Sequence, residues 1–490
     1  MNARIHQAGR WSLLACLAWL AAACTVGPSY KTPSADIPAA FKEQPPPGVK
    51  PGDWTPAQPQ DALQRGKWWE LFGDPQLNAL EEQVSVSNQT LAQAEAQFRG
   101  ARAAVREARA GLFPTVTAGA SVTNSRASSS TAGGRTTGTQ TVYQTPIDVS
   151  YEADVWGRVR RLIEANVATA QASAADVEAM RLSLQAELAA DWFQLHGLDQ
   201  QRQLLDSAIV GYEKTLQINV NRHNQGVSSG ADVAQAETQL ETTRAQAIDL
   251  GVARAQLEHA IAILTGKPPA ELTIPVAPLG VAPPAIPVEL PAELLQRRPD
   301  IAAAERRVAA ANAQIGVATA AYFPSLTLSA SGGFASTTLS NLFSLPNRFW
   351  SIGPQLLATI FDAGRRRAVT AEAQAAYDAN VAAYRESVLT AFQNVEDNLA
   401  ELRILSDEAT QQAAAVAAAE RSLTLAQNRY NGGITSYLEV VTAETAALAN
   451  ERTAVDIAAR RLIASVNLVK ALGGGWKADQ LPSSGTLVTR

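Results

Sequence analysis

No proline occurs between Pro146 and Pro268, nor between Pro354 and Pro482. Without the residue that breaks a helix from inside, each stretch is free to form very long helices. The two stretches are also copies of one plan. "RHNQGVSSGADV" (222–233) and "RYNGGITSYLEV" (429–440) share a layout in which Arg222 faces Arg429, Gly226 faces Gly433, Ser229 faces Ser436, Asp232 faces Glu439 and Val233 faces Val440, always 207 positions apart. Gly157-Arg158 faces Gly364-Arg365 and Gly266 faces Gly473 at the same offset. Upstream, "LFPTVTAGA" matches "YFPSLTLSA", with Pro114 facing Pro324 at an offset of 210, so one loop between these landmarks differs by three residues. The chain reads as a tandem duplication, and that decides the fold class before any single element is considered.

Each repeat alternates two materials. The first is helical: Val177, Met180, Leu184, Leu188, Trp192 and Leu195 step by three or four, as do Tyr384, Val388, Phe392, Val395, Leu399 and Leu402. Sustained spacing of this kind favours coiled-coil packing, and the intervening alanines allow close approach. From Gly157 to Gly226 such a helix would run on the order of 100 Å, longer than any single globular core. The second material is strand. "PIDVSYEADV" puts Ile147, Val149, Tyr151, Ala153 and Val155 on one face and Asp148, Ser150, Glu152 and Asp154 on the other. "TVTAGASV" (115–122), "SLTLSASGGF" (325–334) and "SIGPQLLATIF" (351–361) alternate less sharply. Lengths near ten residues suit membrane-spanning strands. Four strands cannot close a pore, and an open sheet leaves backbone groups unpaired in lipid, so several copies must pool their strands. The alternative is a small soluble four-stranded sheet.

The amino terminus carries an address. Arg4 and Arg10 precede the apolar run "WSLLACLAWLAAAC" (11–24), too short to span a bilayer but suited to an export signal. The only cysteines are Cys16 and Cys24. Cleavage before Cys24 would leave one thiol, hence no internal disulfide; a lone cysteine at a new amino terminus suits lipid acylation, the plainer alternative being ordinary export with Cys24 as an incidental thiol. Ala21 stands where a lipobox usually has leucine, and "LLAC" before Cys16 is the competing site. These landmarks divide the chain into a leader (1–23), an N-terminal segment (24–74), a first repeat of helix, two strands and long helical hairpin (75–266), a linker (267–291), a second repeat of the same make-up (292–473) and a tail (474–490).

Enzyme chemistry is not legible. His196, His223 and His259 are scattered through helical sequence, and no paired-histidine zinc motif, P-loop or nucleophile elbow occurs. Gly473 to Gly475 reads as a helix end. With 41 Lys+Arg against 46 Asp+Glu, no basic surplus exists to hold nucleic acid. Neither a catalytic residue, a cofactor nor a metal is expected.

The phrases "CTVGPSYKTP", "WWELFGDPQLNAL", "YEADVWGRVRR", "LLQRRPDIAAAE", "FDAGRRRA" and "RYNGGITSYLEV" together resemble bacterial outer membrane efflux proteins of the TolC type, in their lipoprotein, OprM/NodT-like branch. The resemblance implies a homotrimer with a 12-stranded transmembrane β-barrel, four strands per protomer, continued by an α-helical coiled-coil tunnel through the periplasm. It implies a periplasmic adaptor and an inner-membrane transporter as partners, outer-membrane lipid on Cys24, and a belt formed by segments near 36–70, 267–291 and 475–490. The function it implies is passive exit of drugs or toxic small molecules; a duct for protein secretion, or a lipid-anchored periplasmic scaffold, are the alternatives.

On this resemblance Gly226 and Gly433 are the tips of the hairpins, with Val227 and Ile434 beside them as adaptor contacts. The family's gating tyrosine and aperture acid correspond to Tyr430 and Glu439, with Asp232 as the acid's counterpart in the first repeat. Thr435 and Thr442 replace an arginine and a second acid of TolC itself, which leaves Arg429 and Tyr430 as the expected ties to Asp232. The plainer alternative is that both acids merely complement a helix dipole in a first turn.

Overall fold

The computed structural model describes residues 25–43, 66–126, 138–284, 286 and 296–489. Cys24, the leader and most of the polar linker "SRASSSTAGGRTTGTQ" lie outside the described residues. In chain order the elements are α1 (Pro75–Ser87), α2 (Gln89–Ala110), β1 (Thr115–Ala118), β2 (Ser121–Ser125), β3 (Gln140–Ala153), α3 (Arg158–Asn224), α4 (Gly230–Leu264), α5 (Pro299–Ala320), β4 (Ser325–Ser336), β5 (Arg348–Leu357), α6 (Arg365–Asn431), α7 (Tyr437–Ala471) and α8 (Ser484–Thr489).

The lengths of the long helices recur in pairs. Helices α3 and α6 each hold 67 residues, and α4 and α7 each hold 35. At 1.5 Å per residue the longer pair run about 100 Å. Near the strands α2, α3, α5 and α6 lie side by side; away from them the neighbours become α4, α3, α7 and α6. Every residue of the second expected stripe, Tyr384 to Leu402, is buried, whereas in the first Met180 is 37% exposed and leaves the face. Burial is concentrated at mid-height, where Trp68, Trp69, Phe72, Trp192, Phe193 and Leu399 share one core. A separate small cluster of Ala236, Tyr430, Tyr437 and Val440 sits at the far end.

The helix before each strand pair is fastened at equivalent points. Asn88, between α1 and α2, donates to the Leu264 carbonyl at 2.8 Å and caps Leu91 N–H at 2.9 Å. Arg298, from "LLQRRPDIAAAE", donates to the Ala471 carbonyl at 3.0 Å and grips Asp300 with two nitrogens. Thus the single helix expected to open the first repeat is two helices broken at Asn88. Gly473, with φ of 93°, lies so close to this junction that an added Cβ would fall 2.1 Å from the Arg297 oxygen.

The strands form one antiparallel sheet in the order β1/β2, β3, β4, β5. β1 and β2 keep one register on β3 and are interrupted opposite Pro146, which lacks the N–H that the ladder needs there. They are therefore the single strand expected at 115–122, extended to Ser125. β3 begins six residues earlier than the alternation around Ile147 implied, and β5 stops at Leu357, short of Ile360 and Phe361.

Register sorts the side chains into two faces. Val116, Val149, Ala330 and Ile352 lie in one cross-strand row, Tyr151, Leu328 and Pro354 in another, and Ala153, Leu326 and Leu356 in a third. The opposite face carries Thr117, Asp148, Ser331 and Ser351 in one row and Glu152, Thr327 and Gln355 in another, with Val142, Pro146, Phe349 and Leu357 as its larger apolar exceptions. The apolar face is bare: Val116, Val122, Ile147, Trp350, Ile352 and Leu356 are each more than half exposed. Among the described residues both outer strands lack a partner on one side. No described helix is long and apolar enough to cross a membrane.

Candidate functional site

Both hairpins turn on the same backbone device. Gly226 and Gly433 adopt φ of 76° and 72°, a conformation that costs glycine little. Around Gly226, its N–H donates to the His223 carbonyl at 2.8 Å and Val227 N–H to that of Arg222 at 2.8 Å. Around Gly433, the bonds run to Tyr430 at 3.0 Å and from Ile434 N–H to Arg429 at 2.9 Å. This nested pair closes a helix C-terminus and usually brings an apolar contact from the residue after the glycine. Here Val227 and Ile434 are instead 64% and 72% exposed.

The two acids occupy the same position of their helices, the third residue after the cap, but do different things. Asp232 completes a capping box: Ser229 N–H donates to its carboxylate and Asp232 N–H to the Ser229 hydroxyl, both at 3.2 Å. This is the helix-start role of the plainer reading. Ser436 makes no such side-chain cap, and Glu439 reaches back to Arg429, with Nη1 and Oε2 3.5 Å apart and both side chains more than half exposed.

Neither expected tie to Asp232 forms within the chain. Arg429 goes to Glu439, because both sit at one hairpin's tip. Tyr430 points into the protein, donating its hydroxyl to Asn219 Oδ1 at 2.5 Å, while the Arg222 guanidinium lies 4.8 Å from its ring centre. Asn219 is fully buried and Tyr430 nearly so. Tyr430 thus fastens α6 to α3 across the two repeats. Its ring also meets Tyr437 at 5.4 Å, and burial pushes the Tyr437 phenol well above its usual range.

Asn219 and Tyr437 escaped the sequence reading. Asn219 has Ala426 as its repeat counterpart, so the duplication gave no signal for it. Arg222 stood in the repeat alignment, but its place over the ring depends on how two helices are rotated. His196 is buried, pairs Nδ1 with the Ala277 carbonyl at 2.9 Å and meets Trp192 edge-on, whereas the exposed His223 pairs Nδ1 with the Ser228 carbonyl at 3.0 Å.

A sheet with one oily and one polar face and two open edges, seated on paired helices about 100 Å long, is the architecture of an outer-membrane channel. The family model described as outer membrane efflux protein matches residues 80–267 and 290–474, and the chain belongs to that family. It is 34% identical over 461 residues to the probable efflux pump outer membrane protein SepC of Pseudomonas putida, covering 92% of this chain and 94% of that protein. It is 32% identical over 461 residues to outer membrane protein OprJ of Pseudomonas aeruginosa, covering 93% of each. Among solved structures it matches the outer-membrane channel OprN with a TM-score of 0.82 at 32% identity, covering 92% of this chain and 100% of that one. The open-state MtrE channel of Neisseria gonorrhoeae matches at 0.80 and 29%, covering 93% and 99%. The chain is an efflux protein of the outer membrane.

Proposed function

We propose that this chain forms a homotrimer whose pooled strands close a 12-stranded barrel, and that it conducts toxic small molecules out of the periplasm as the exit duct of a tripartite pump. The observation carrying this is the two-faced sheet with open edges. An exposed apolar face of this extent needs lipid, and edges in lipid need partner strands. Three copies supply them, with the rows containing Ser331 and Thr327 lining the pore. Relatives named as toluene and antibiotic efflux pump outer membrane proteins support solvents and drugs as substrates over secreted proteins.

The N-terminal strap supports Cys24 as the lipid-bearing residue. Val26 N–H donates to the Trp156 carbonyl at 3.1 Å, just where β3 gives way to α3, so the chain begins its course beside the membrane end of the sheet. From there it runs along α5 and α6. Tyr30 bonds to Glu305, and Lys42 and Glu43 N–H both donate to the Glu396 carboxylate, at 2.6 and 2.9 Å.

At the other end the tips Gly226–Val227 and Gly433–Ile434 dock a periplasmic adaptor, which joins an inner-membrane transporter. The gate comprises Tyr430, Arg429 and Glu439, with Asp232 shaping the first hairpin's tip. Three Glu439 carboxylates about a narrow aperture favour cations. Single-channel recording of the purified protein with Glu439→Gln tests this. A cation-selective current that loses selectivity in the variant is expected; an unchanged selectivity would remove Glu439 from the aperture, and absence of any pore in the Tyr430→Phe variant would favour a scaffold.

A further inference from the structure

Eight residues above the second tip's cap, on α7, Glu444 is 6% exposed, and its Oε2 has no hydrogen-bond partner. The Tyr437 hydroxyl, two turns earlier on the same helix, is likewise buried and unpartnered. The groups facing Glu444 are few. Gln427 from α6 hydrogen-bonds to it; the Tyr212 phenol approaches from α3 and that of Tyr437 from α7 itself. From α4 the neighbours are Gln239, which takes a bond from Thr445 at 3.4 Å, and Asp232, which faces Tyr437. Glu451, a further two turns along α7, faces Tyr212 and Glu420 of α6. No lysine, arginine or histidine among the described residues acts on Glu444.

A carboxylate buried without a cation is costly, whereas a neutral carboxylic acid can donate to a neighbouring oxygen. Helix α7 is the element that carries Glu439 and Tyr437, and the cluster holding it here is the small one at the tips rather than the large mid-height core. We propose that Glu444 is a proton-operated lock of the gate: protonated, it lets α7 pack against α3, α4 and α6 with the tips closed; ionised, it loosens α7 and releases them. This rests on the gate reading above and adds to it the signal to which the gate answers.

Burial raises the Glu444 carboxyl from its ordinary 4.5 to about 7, with Gln427 partly offsetting the rise. Because the packed form holds its proton more tightly than a solvated form would, packing is favoured fully below about pH 4.5. That advantage is lost as pH rises to about 7, and the effect is flat above it. Within this window the ratio of open to closed tips rises by up to about tenfold per pH unit for each protomer.

The test compares wild type, Glu444→Gln and Tyr430→Phe as trimers in planar bilayers between pH 5.5 and pH 7.5. Wild type should open more as pH rises; Glu444→Gln, permanently neutral, should stay at the low-pH level throughout. A Glu444→Gln profile that superimposes on wild type, in pores that Tyr430→Phe does open, overturns the lock and keeps the gate. If Tyr430→Phe changes nothing, the gate reading itself falls, and amide exchange over residues 437–447, corrected for intrinsic rates, decides on Glu444 alone. Protection lost with rising pH in wild type but not in Glu444→Gln supports the ionisation switch; equal loss in both overturns it.

Discussion

The Tyr430 hydroxyl offers the sharpest test of what holds the two hairpin tips together. In Tyr430→Phe the ring keeps its place under Arg222 and against Tyr437, so the change isolates one hydrogen bond. That bond is 2.5 Å long, and its acceptor, Asn219, is fully buried with its Nδ2 already unpartnered. Water cannot replace the lost donor without opening the cluster, so the cost is that of stranding a buried acceptor, about 1–3 kcal/mol. The exposed Arg429–Glu439 pair is worth about 0–1 kcal/mol, so the tyrosine should dominate. A cost of 1–3 kcal/mol corresponds to roughly 5- to 150-fold in a local opening equilibrium. Amide exchange reads this directly at Val227 and Ile434, whose N–H groups are held by the two tip carbonyls. Adding Asn219→Leu to Tyr430→Phe should recover much of the loss, because both polar partners are then gone. A double-mutant coupling below about 0.3 kcal/mol, or unchanged exchange at both tips, would refute the reasoning.

Two further outcomes follow from the fold. Ile352→Arg, mid-strand on the apolar face, should cost about 2–4 kcal/mol per copy in lipid and deplete assembled protein from outer-membrane fractions, whereas Ser351→Arg on the polar face should assemble normally. Gly473→Ala should destabilise the junction by at least about 1–3 kcal/mol, through its positive φ and its approach to Arg297, and would be read as a lower unfolding midpoint than that of the exposed Gly353→Ala.

How much of this was legible in the sequence varies with the range of the contact. Periodicity and the absence of proline announced α3 and α6, and the alternation around Ile147 announced which side of β3 is oily, because these are properties of successive residues on one element. Met180 shows the limit even there. Its spacing fits the stripe, but whether a position three residues from Val177 falls inside or at the margin depends on where the neighbouring helix lies. Pro146 shows another: its effect fell not on its own strand but on the strand opposite, where it divides β1 from β2.

By itself the sequence determined the motif layout recurring at an offset of 207, the two glycine tips, the helical and strand materials and the absence of a recognisable catalytic motif, since each is encoded in local pattern or in stretches that can be laid over one another. Tertiary structure alone decided what the tip residues hold. Arg222, Asn219 and Tyr430 come together across 211 positions of chain through the mutual rotation of two long helices, an angle that no periodicity specifies. Asp232 and Glu439 stand at the same position of their helices, yet Asp232 caps its own helix while Glu439 reaches for Arg429. That asymmetry follows what each arginine meets: Arg429 faces the acid of its own hairpin, whereas Arg222 lies 4.8 Å from the ring centre of Tyr430, whose counterpart 207 positions earlier is His223.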